Sequence, residues 1–589
     1  MAILHLTTVI AVIALSSSSI VKSPSNDGTF ELLILHNNDM HARFEQTSQL
    51  SGACTTADRD AGKCYGGFPR VAHVVKEARK AAESGEGPPV LYLNAGDTYT
   101  GTAWFTIYKW KIAAEFLNAL QPDAVSLGNH EFDNGINGLA PFIANLSCPN
   151  LATNLILDDE PILKAEDNLR NSVVFDINGI KVAVIGYLTP DTKFLAVRNN
   201  VTYIEEVIAI RAEVKRLRNE GVQIFIALGH SGFLKDLEIA KEVEDIDLVI
   251  GGHTNTFLWN GPTPDIEKAQ GPYPMIVKQD SGRNVPVVQA YAYTKYIGYL
   301  HLTFDMQGEI KSIGETNPIL LNSSIPENIE LLTIVNKYRD SILKLTNVIV
   351  GSTSVFLDGQ SCRLRECNLG NMITDAMVQK YASEYTGPGW TDTPIAIIQG
   401  GGIRASINHV NKISDITWGD LLTVMPFDDQ VVKVTLHGSD LRKMLEHSVA
   451  AYNTIRAPGQ FLQISGMQIE YDFRRSPGNR VSTALTLCGD CEIPVYSPLN
   501  DTRSYNVLIN GFLSMGGDGY TIFIGKPIVY LKFNDLGATS EYVNKTSPVY
   551  PAIEGRIIIN NEKALSLGHT NYLSVFIVFI SVIVSKLII

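Results

Sequence analysis

No dense run of lysine or arginine occurs anywhere in the 589-residue chain, and acidic side chains outnumber basic ones by 61 to 48. The net charge of −13 argues against a nucleic-acid binder, which presents a basic face to the phosphate backbone. Any anionic substrate must instead meet local positive charge, from metal ions or a few arginines. Short internal repeats and low-complexity segments are absent too, so nothing points to a repeat array. With 45% hydrophobic and 19% charged residues, the composition is that of a globular chain and not a disordered one. The length exceeds one ordinary core, so two domains with processed ends are expected.

Cysteine is scarce: seven residues, falling into three close pairs and one single. Cys54 and Cys64 close a short loop, Cys362 and Cys367 flank Arg363–Glu366, and Cys488 and Cys491 form a Cys-x-x-Cys. In a reducing compartment the last pair suggests zinc or redox chemistry; in an oxidising one, three short-loop disulfides. Cys148 is left free or intermolecular.

The ends favour export. An apolar run from Ala2 to Leu15, followed by small residues, reads as a secretory signal, although its first residues lack a basic group. It is short for a bilayer of ~30 Å. A second apolar block starts at Tyr572, and only Ser585–Ile589 follow Val584. Without a polar flank, this reads as a glycolipid-anchor signal rather than a spanning helix. Asn560 or Asn561 leaves a spacer of about 8–12 residues, and Ser566 a shorter one. Asn-x-Ser/Thr sequons stand at Asn145, Asn200, Asn322, Asn500 and Asn544, plausible glycan sites on an exported chain.

Up to about residue 310, short apolar runs at 31–35, 90–93, 181–186, 223–228 and 247–250 alternate with amphipathic stretches such as 70–83 and 203–220. That alternation predicts α/β layers with buried strands. A Pro/Asn/Ser-rich turn at 317–326 precedes a helical stretch at 327–344, read as a connector between domains. A second α/β pattern follows from about 347 to 558, with a Gly-rich loop at 400–402.

Polar residues follow the apolar runs of the first half in a recurring way. Asp39 and His41 follow the first, Asp97 the second, and Asn129, His130 and Asp133 a third that ends at Leu127. His230 follows the next, and His253 and Asn255 the last. One such Asp is usually a turn or helix cap. Five endings of this kind point elsewhere, because open α/β sheets bind ligands beyond the carboxyl ends of their strands. Adjacent glycines permit close approach of backbone to a ligand. His, Asp and Asn together suit borderline ions such as zinc or manganese rather than calcium. A carboxylate can bridge two such ions ~3.5–4 Å apart, which acidify water and draw charge off phosphoryl oxygens.

The ordered set Asn37–His41, Asn94–Thr98, Gly128–Asp133, Gly229–Ser231, Gly251–Phe257, Gln399–Arg404 and Gly516–Tyr520 resembles the 5′-nucleotidase/apyrase family, whose first domain is a calcineurin-like metallophosphatase. The resemblance runs from about residue 30 to the C-terminus. It implies an α/β architecture: an N-terminal four-layer αββα metallophosphatase domain, a connector helix and a C-terminal α/β nucleotide-binding domain. The expected bounds are a signal peptide over 1–23, a first domain over 28–318, a linker over 319–346, a second domain over 347–558 and an anchor segment over 560–589.

The resemblance also implies two zinc ions: Asp39 and His41 on one, Asn129, His230 and His253 on the other, and Asp97 bridging both. His130, oriented by Asp133, would act on the phosphate or leaving group, with Asn255 helping to hold the phosphate. Arg363, Gln399, Arg404, Phe427, Phe512 and Asp518 would bind the nucleoside, the two phenylalanines sandwiching the base. Two positions depart from the family pattern. Gln399 stands where an Asn is usual, and Thr374 stands where a further disulfide's cysteine would be.

The implied activity is extracellular hydrolysis of nucleoside 5′-monophosphates, AMP first, by a homodimer on a glycolipid anchor. An apyrase acting on ATP and ADP is the alternative, and a non-catalytic surface protein on a retired hydrolase fold is a third reading. The complete ligand set argues against the last.

Overall fold

A computed structural model of the chain describes residues 28–560, apart from 315, 409, 410, 455 and 456. The leader at 1–23 and the anchor segment beyond Asn560 lie outside the described residues. Among the described residues, no helix is long and apolar enough to cross a membrane.

Two sheets face each other in the first domain. One runs Ile310–Ile313, Tyr296–Asp305, Thr29–Asn37, Val90–Asn94, Ala124–Ser126, Asn150–Leu151, Leu169–Arg170, with Ile319–Leu320 paired on Tyr296–Asp305. The other runs Met275–Lys278, Asn284–Val288, Leu248–Ile250, Ile224–His230, Ile180–Leu188, Ser172–Ile177. Strand alternation assigns the two faces of each. Leu32 and Ile34 join Val182, Val184, Ile226 and Leu228 in a core between the sheets. Leu33 and Leu35 instead meet the helix Phe68–Glu83 on one outer face. Ile185, Ala227 and Val249 meet Glu206–Arg218 and Phe233–Glu242 on the other. These are the four αββα layers that the resemblance implies.

The connector helix spans Ile329–Thr346, capped by the Asn328 side chain, which accepts from the Leu331 amide. It starts two residues later than the sequence suggests, because Asn328 serves as the cap. Leu331, Val335 and Ile342 share one buried stripe, and the core they join continues into both domains. Arg339 binds Glu45 at 2.6 Å, tying the helix to the first domain.

The second domain carries a five-stranded sheet, Leu462–Ser465, Ile395–Gln399, Ser504–Asn510, Gln430–His437, Ile528–Asn534, and a four-stranded one that includes Met467–Asp472 and Ile557–Asn560. Cys54–Cys64, Cys362–Cys367 and Cys488–Cys491 are disulfides. The Cys148 thiol is free and buried, out of reach of another chain.

Candidate active site

The parallel strands Thr29–Asn37, Val90–Asn94 and Ala124–Ser126 in one sheet, and Ile224–His230 and Leu248–Ile250 in the other, end at a common rim. The loops after them carry the polar residues, and their backbones are unusual. Asp39, His41, Asp97, His253 and Asn255 all have φ between 47° and 77°. Left-handed backbone at a non-glycine residue costs on the order of 1 kcal/mol or more and collects at functional sites. Neighbouring loops enforce it. The Asp39 amide donates to Gly96 O at 3.0 Å, and the His41 amide to Asp97 O at 2.9 Å. Gly96 is required where two loops touch: a Cβ there would lie 2.6 Å from the Gly128 nitrogen.

These constraints converge the side chains. Asp97 Oδ2 lies 2.8 Å from His230 Nε2, 3.9 Å from His41 Nε2 and 4.0 Å from His130 Nε2. Asp39 Oδ1 lies 3.6 Å from His230 Nε2 and 3.7 Å from His41 Nε2. His253 Nδ1 is 2.9 Å from Asn129 Oδ1. Ligand atoms of His41, Asp97 and His130 fall within 4.8 Å of one another, as do those of Asp97, His230 and His253. Asp97 belongs to both groups.

The chemistry of this donor set fits metal ions. Asp39 Oδ1 and Asn255 Oδ1 are buried without a hydrogen-bond partner, although buried polar atoms are normally paired. His230 Nδ1 meets Ala95 O at 2.7 Å, and His41 Nδ1 meets Thr100 O at 3.0 Å. A carbonyl only accepts, so both rings carry their proton on Nδ1 and offer Nε2. Metal-binding histidines are held in this way. The protonation balance agrees. Burial disfavours charge on both members of the Asp97–His230 pair, yet the surrounding groups win. His230, His130 and His41 hold Asp97 well below the usual range, while Asp97 and Asp39 lift His230 to about 10. A proton thus sits where the carboxylates call for a cation. Burial, partly offset by His230, raises Asp39 to about 6.

His130 is held differently. Its Nδ1 meets Asp133 Oδ2 at 2.7 Å, and its amide donates to Asp97 Oδ1 at 2.9 Å. Burial lowers its pKa, but Asp133 and Asp97 outweigh burial and raise it.

The second domain closes the site. Arg363, Gln399, Arg404, Phe427, Phe512 and Asp518 line a cavity of about 900 Å³ together with the site residues of the first domain, except His230, which is buried beneath it. Arg404 Nη2 reaches His41 Nε2 at 3.1 Å across the domain boundary. The Phe427 ring stacks near His130 at 5.8 Å between centroids, inclined by 25°. Burial and the Arg404 charge lower Arg363 to about 10; burial, against Arg363, raises Asp518 to about 6. At Thr374 the hydroxyl donates to Gly370 O at 2.9 Å, a satisfied polar group within a helix.

Two further buried residues build the rim, neither among those that the sequence pattern singles out. Glu131 accepts from the amides of Asp97, Thr98 and Gly128 at 2.9, 2.7 and 2.7 Å. Gln289 donates to Asp236 Oδ2 at 2.7 Å and Gly252 O at 2.9 Å, and accepts from the Thr256 amide at 2.9 Å. Glu131 had a signal, as the acid inside the Asn129–Asp133 motif. Gln289, in an apolar run, had none.

Comparison with known proteins agrees with this architecture. Residues 32–257 match the calcineurin-like phosphoesterase family, and residues 349–524 match the 5′-nucleotidase C-terminal domain. "Protein 5NUC" of Lutzomyia longipalpis is 45% identical over 546 residues, covering 91% of this chain and 94% of that one. The 5′-nucleotidase of Homo sapiens is 42% identical over 543 residues, covering 90% and 91%. Among solved structures, the 5′-nucleotidase precursor from Thermus thermophilus superposes with a TM-score of 0.81 at 30% identity, over 90% of this chain and all of that one. Calcineurin-like phosphoesterases use divalent metal ions, which the donor set of the rim fits. With both domains matched in order across one cavity, the chain belongs to the 5′-nucleotidase family, as a phosphoric monoester hydrolase.

Proposed function

We propose that the protein hydrolyses nucleoside 5′-monophosphates, AMP first, to nucleoside and phosphate, using two zinc ions. One observation carries this reading: a cluster of acidic and imidazole donors faces arginines, phenylalanines and an aspartate across a single cavity. In this reading Asp39 and His41 hold one ion, Asn129, His230 and His253 the other, and Asp97 both. Ions at such a site acidify water and draw negative charge from phosphoryl oxygens as in-line attack proceeds.

The chain's own residues supply the rest. His41 and His230 present Nε2 because backbone carbonyls hold their Nδ1 protons. The Asp133 bond at His130 Nδ1 favours a protonated ring, which has no lone pair for a metal. His130 Nε2 is then a proton donor toward the leaving oxygen. Arg363 and Arg404 meet the phosphate and ribose through their forked donors, and Asn255, which lines the same cavity, has an Nδ2 that can donate to the phosphate. Phe427 and Phe512 both line the cavity and offer ring faces on which a base can stack. Asp518 accepts from the ribose hydroxyls.

The reading extends to location: the outer face of the plasma membrane, on a glycolipid anchor attached near Asn560 or Asn561, as a homodimer through the second domain. It rests on the apolar blocks at the two ends of the sequence and on the family resemblance. Incubating the purified, zinc-loaded protein with AMP and with ADP tests the activity. Phosphate is expected from AMP. Release from ADP but none from AMP would replace the nucleotidase by an apyrase.

A further inference from the structure

Gln399 departs from the family pattern, and its surroundings give the departure a meaning. The strand Ser504–Asn510 ends in Asn510, whose side chain caps the turn Gly511–Ser514 that carries Phe512. The Leu513 amide donates to Asn510 Oδ1 at 3.1 Å. A backbone amide can only donate, so the orientation of the Asn510 amide is fixed: oxygen toward the turn, Nδ2 outward. Asn510 Nδ2 in turn lies 3.1 Å from Gln399 Oε1 and donates to it. That bond fixes the orientation of Gln399 as well, because only its oxygen can accept. Gln399 Nε2 is left over. It makes no hydrogen bond to any described residue, and Gln399 lines the cavity. Beside it the wall is bare: a Cβ on Gly402 would lie 3.3 Å from Nε2.

The position of this amide relative to the other groups says what it meets. On one side Asn510 holds the turn bearing Phe512. On the other, Gly401 stands against Asp518, since a Cβ there would lie 3.4 Å from Asp518 Oδ2. Gln399 is thus bonded to the residue that caps the Phe512 turn, and it lies two positions before the glycine that faces Asp518; with the base on Phe512 and the ribose on Asp518, as in the nucleotidase reading, that sets it toward the sugar edge of the base. We propose that Asn510 is a specificity-determining positioning residue. It locks Gln399 as a hydrogen-bond donor, and the site selects bases with an acceptor at the sugar edge, purine N3 or pyrimidine O2. This inference rests on the nucleotidase reading above. A site built to bond one polar atom rejects analogues that lack it, because its own group is then left unpaired.

The test compares kcat/KM for AMP and for 3-deazaadenosine 5′-monophosphate, in which a C–H replaces N3. The wild type is expected to favour AMP by roughly tenfold or more. Asn510→Asp keeps an acceptor for the Leu513 amide but has nothing to donate. Gln399 is then expected to turn over, give Nε2 to the carboxylate and present Oε1 to the base. The preference for AMP should fall toward unity, and GMP, whose 2-amino group donates at the same edge, should gain on AMP. A merely structural role would lower all three substrates together. If the variant does not fold, Gln399→Met, which removes the donor and leaves Asn510 in place, is expected to lose the same preference. Equal kcat/KM for the two substrates in the wild type would overturn the relay while leaving the nucleotidase reading intact. So would an unchanged preference in the variant that folds. No phosphate from AMP in the wild type would overturn both.

Discussion

Asp518 has a left-handed backbone, with φ 51°, in a turn between two glycines, and a carboxyl that burial raises to about 6 against the pull of Arg363. Its proposed role as ribose acceptor needs the ionised form, which dominates only above that value. Nucleoside binding should therefore weaken as pH falls through about 6. AMP itself is a poor probe, because its phosphate also titrates near 6. Adenosine, acting as a competitive inhibitor, carries no phosphate. Its inhibition constant is expected to rise severalfold between pH 7 and pH 5 in the wild type. In Asp518→Asn, which accepts but does not titrate, it should stay flat and weaker throughout. A wild-type constant indifferent to pH, or a variant that keeps the inflection, would remove Asp518 from the nucleoside site.

The rim depends on how neighbouring elements are stapled together, and Glu131 is the clearest staple. Its Oε2 accepts from Asp97 and Gly128, and its Oε1 from Thr98, so one carboxylate joins the loop after Val90–Asn94 to the loop after Ala124–Ser126. Glu131→Gln keeps the volume but turns one oxygen into a donor facing donors. An unsatisfied buried amide costs about 1–3 kcal/mol, and a loss of that size is expected. That should lower Tm by several degrees, as thermal unfolding would record. The kcat/KM should fall by about a hundredfold or more, because about 1 Å of misplacement is costly in catalysis. A variant with wild-type Tm and turnover would make Glu131 a bystander.

The same scale explains what could be read in the sequence. Buried strands announce themselves as apolar runs, and the polar residues after them were legible because a strand's end fixes where its loop begins. Asp39, Asp97, Asn129, His130, His230 and His253 could be gathered without coordinates for that reason. The connector helix was legible to within two residues, its start depending on the Asn328 cap. Glu131 and Gln289 were not legible as staples, since their partners are backbone groups, which every sequence has. The polarity of Gln399 was hidden as well. It follows from Asn510, 111 positions away, whose own orientation depends on a helical turn that only the fold creates.

Across the whole molecule, one contact between the two halves of the site competes with the metal site proposed above. Arg404 Nη2 lies 3.1 Å from His41 Nε2, and guanidinium only donates, so the pair uses the imidazole's one lone pair. That lone pair is the one proposed to bind zinc. A guanidinium and a divalent ion cannot share it, and a single and a double positive charge about 4 Å apart repel by roughly 8 kcal/mol even at an effective dielectric of 20. The arginine can swing into the cavity, which reduces the penalty to a fraction of that. Arg404→Ala should consequently hold zinc more tightly, by about tenfold, when measured by competition with a chelator. Its KM for AMP should rise, because the same side chain meets the phosphate or ribose once substrate arrives. The opposite signs distinguish this account from general damage, which would weaken both. If Arg404→Ala released zinc as readily as the wild type, the second domain would have no hold on the metal centre, and the contact at His41 would be incidental to the closure of the cavity.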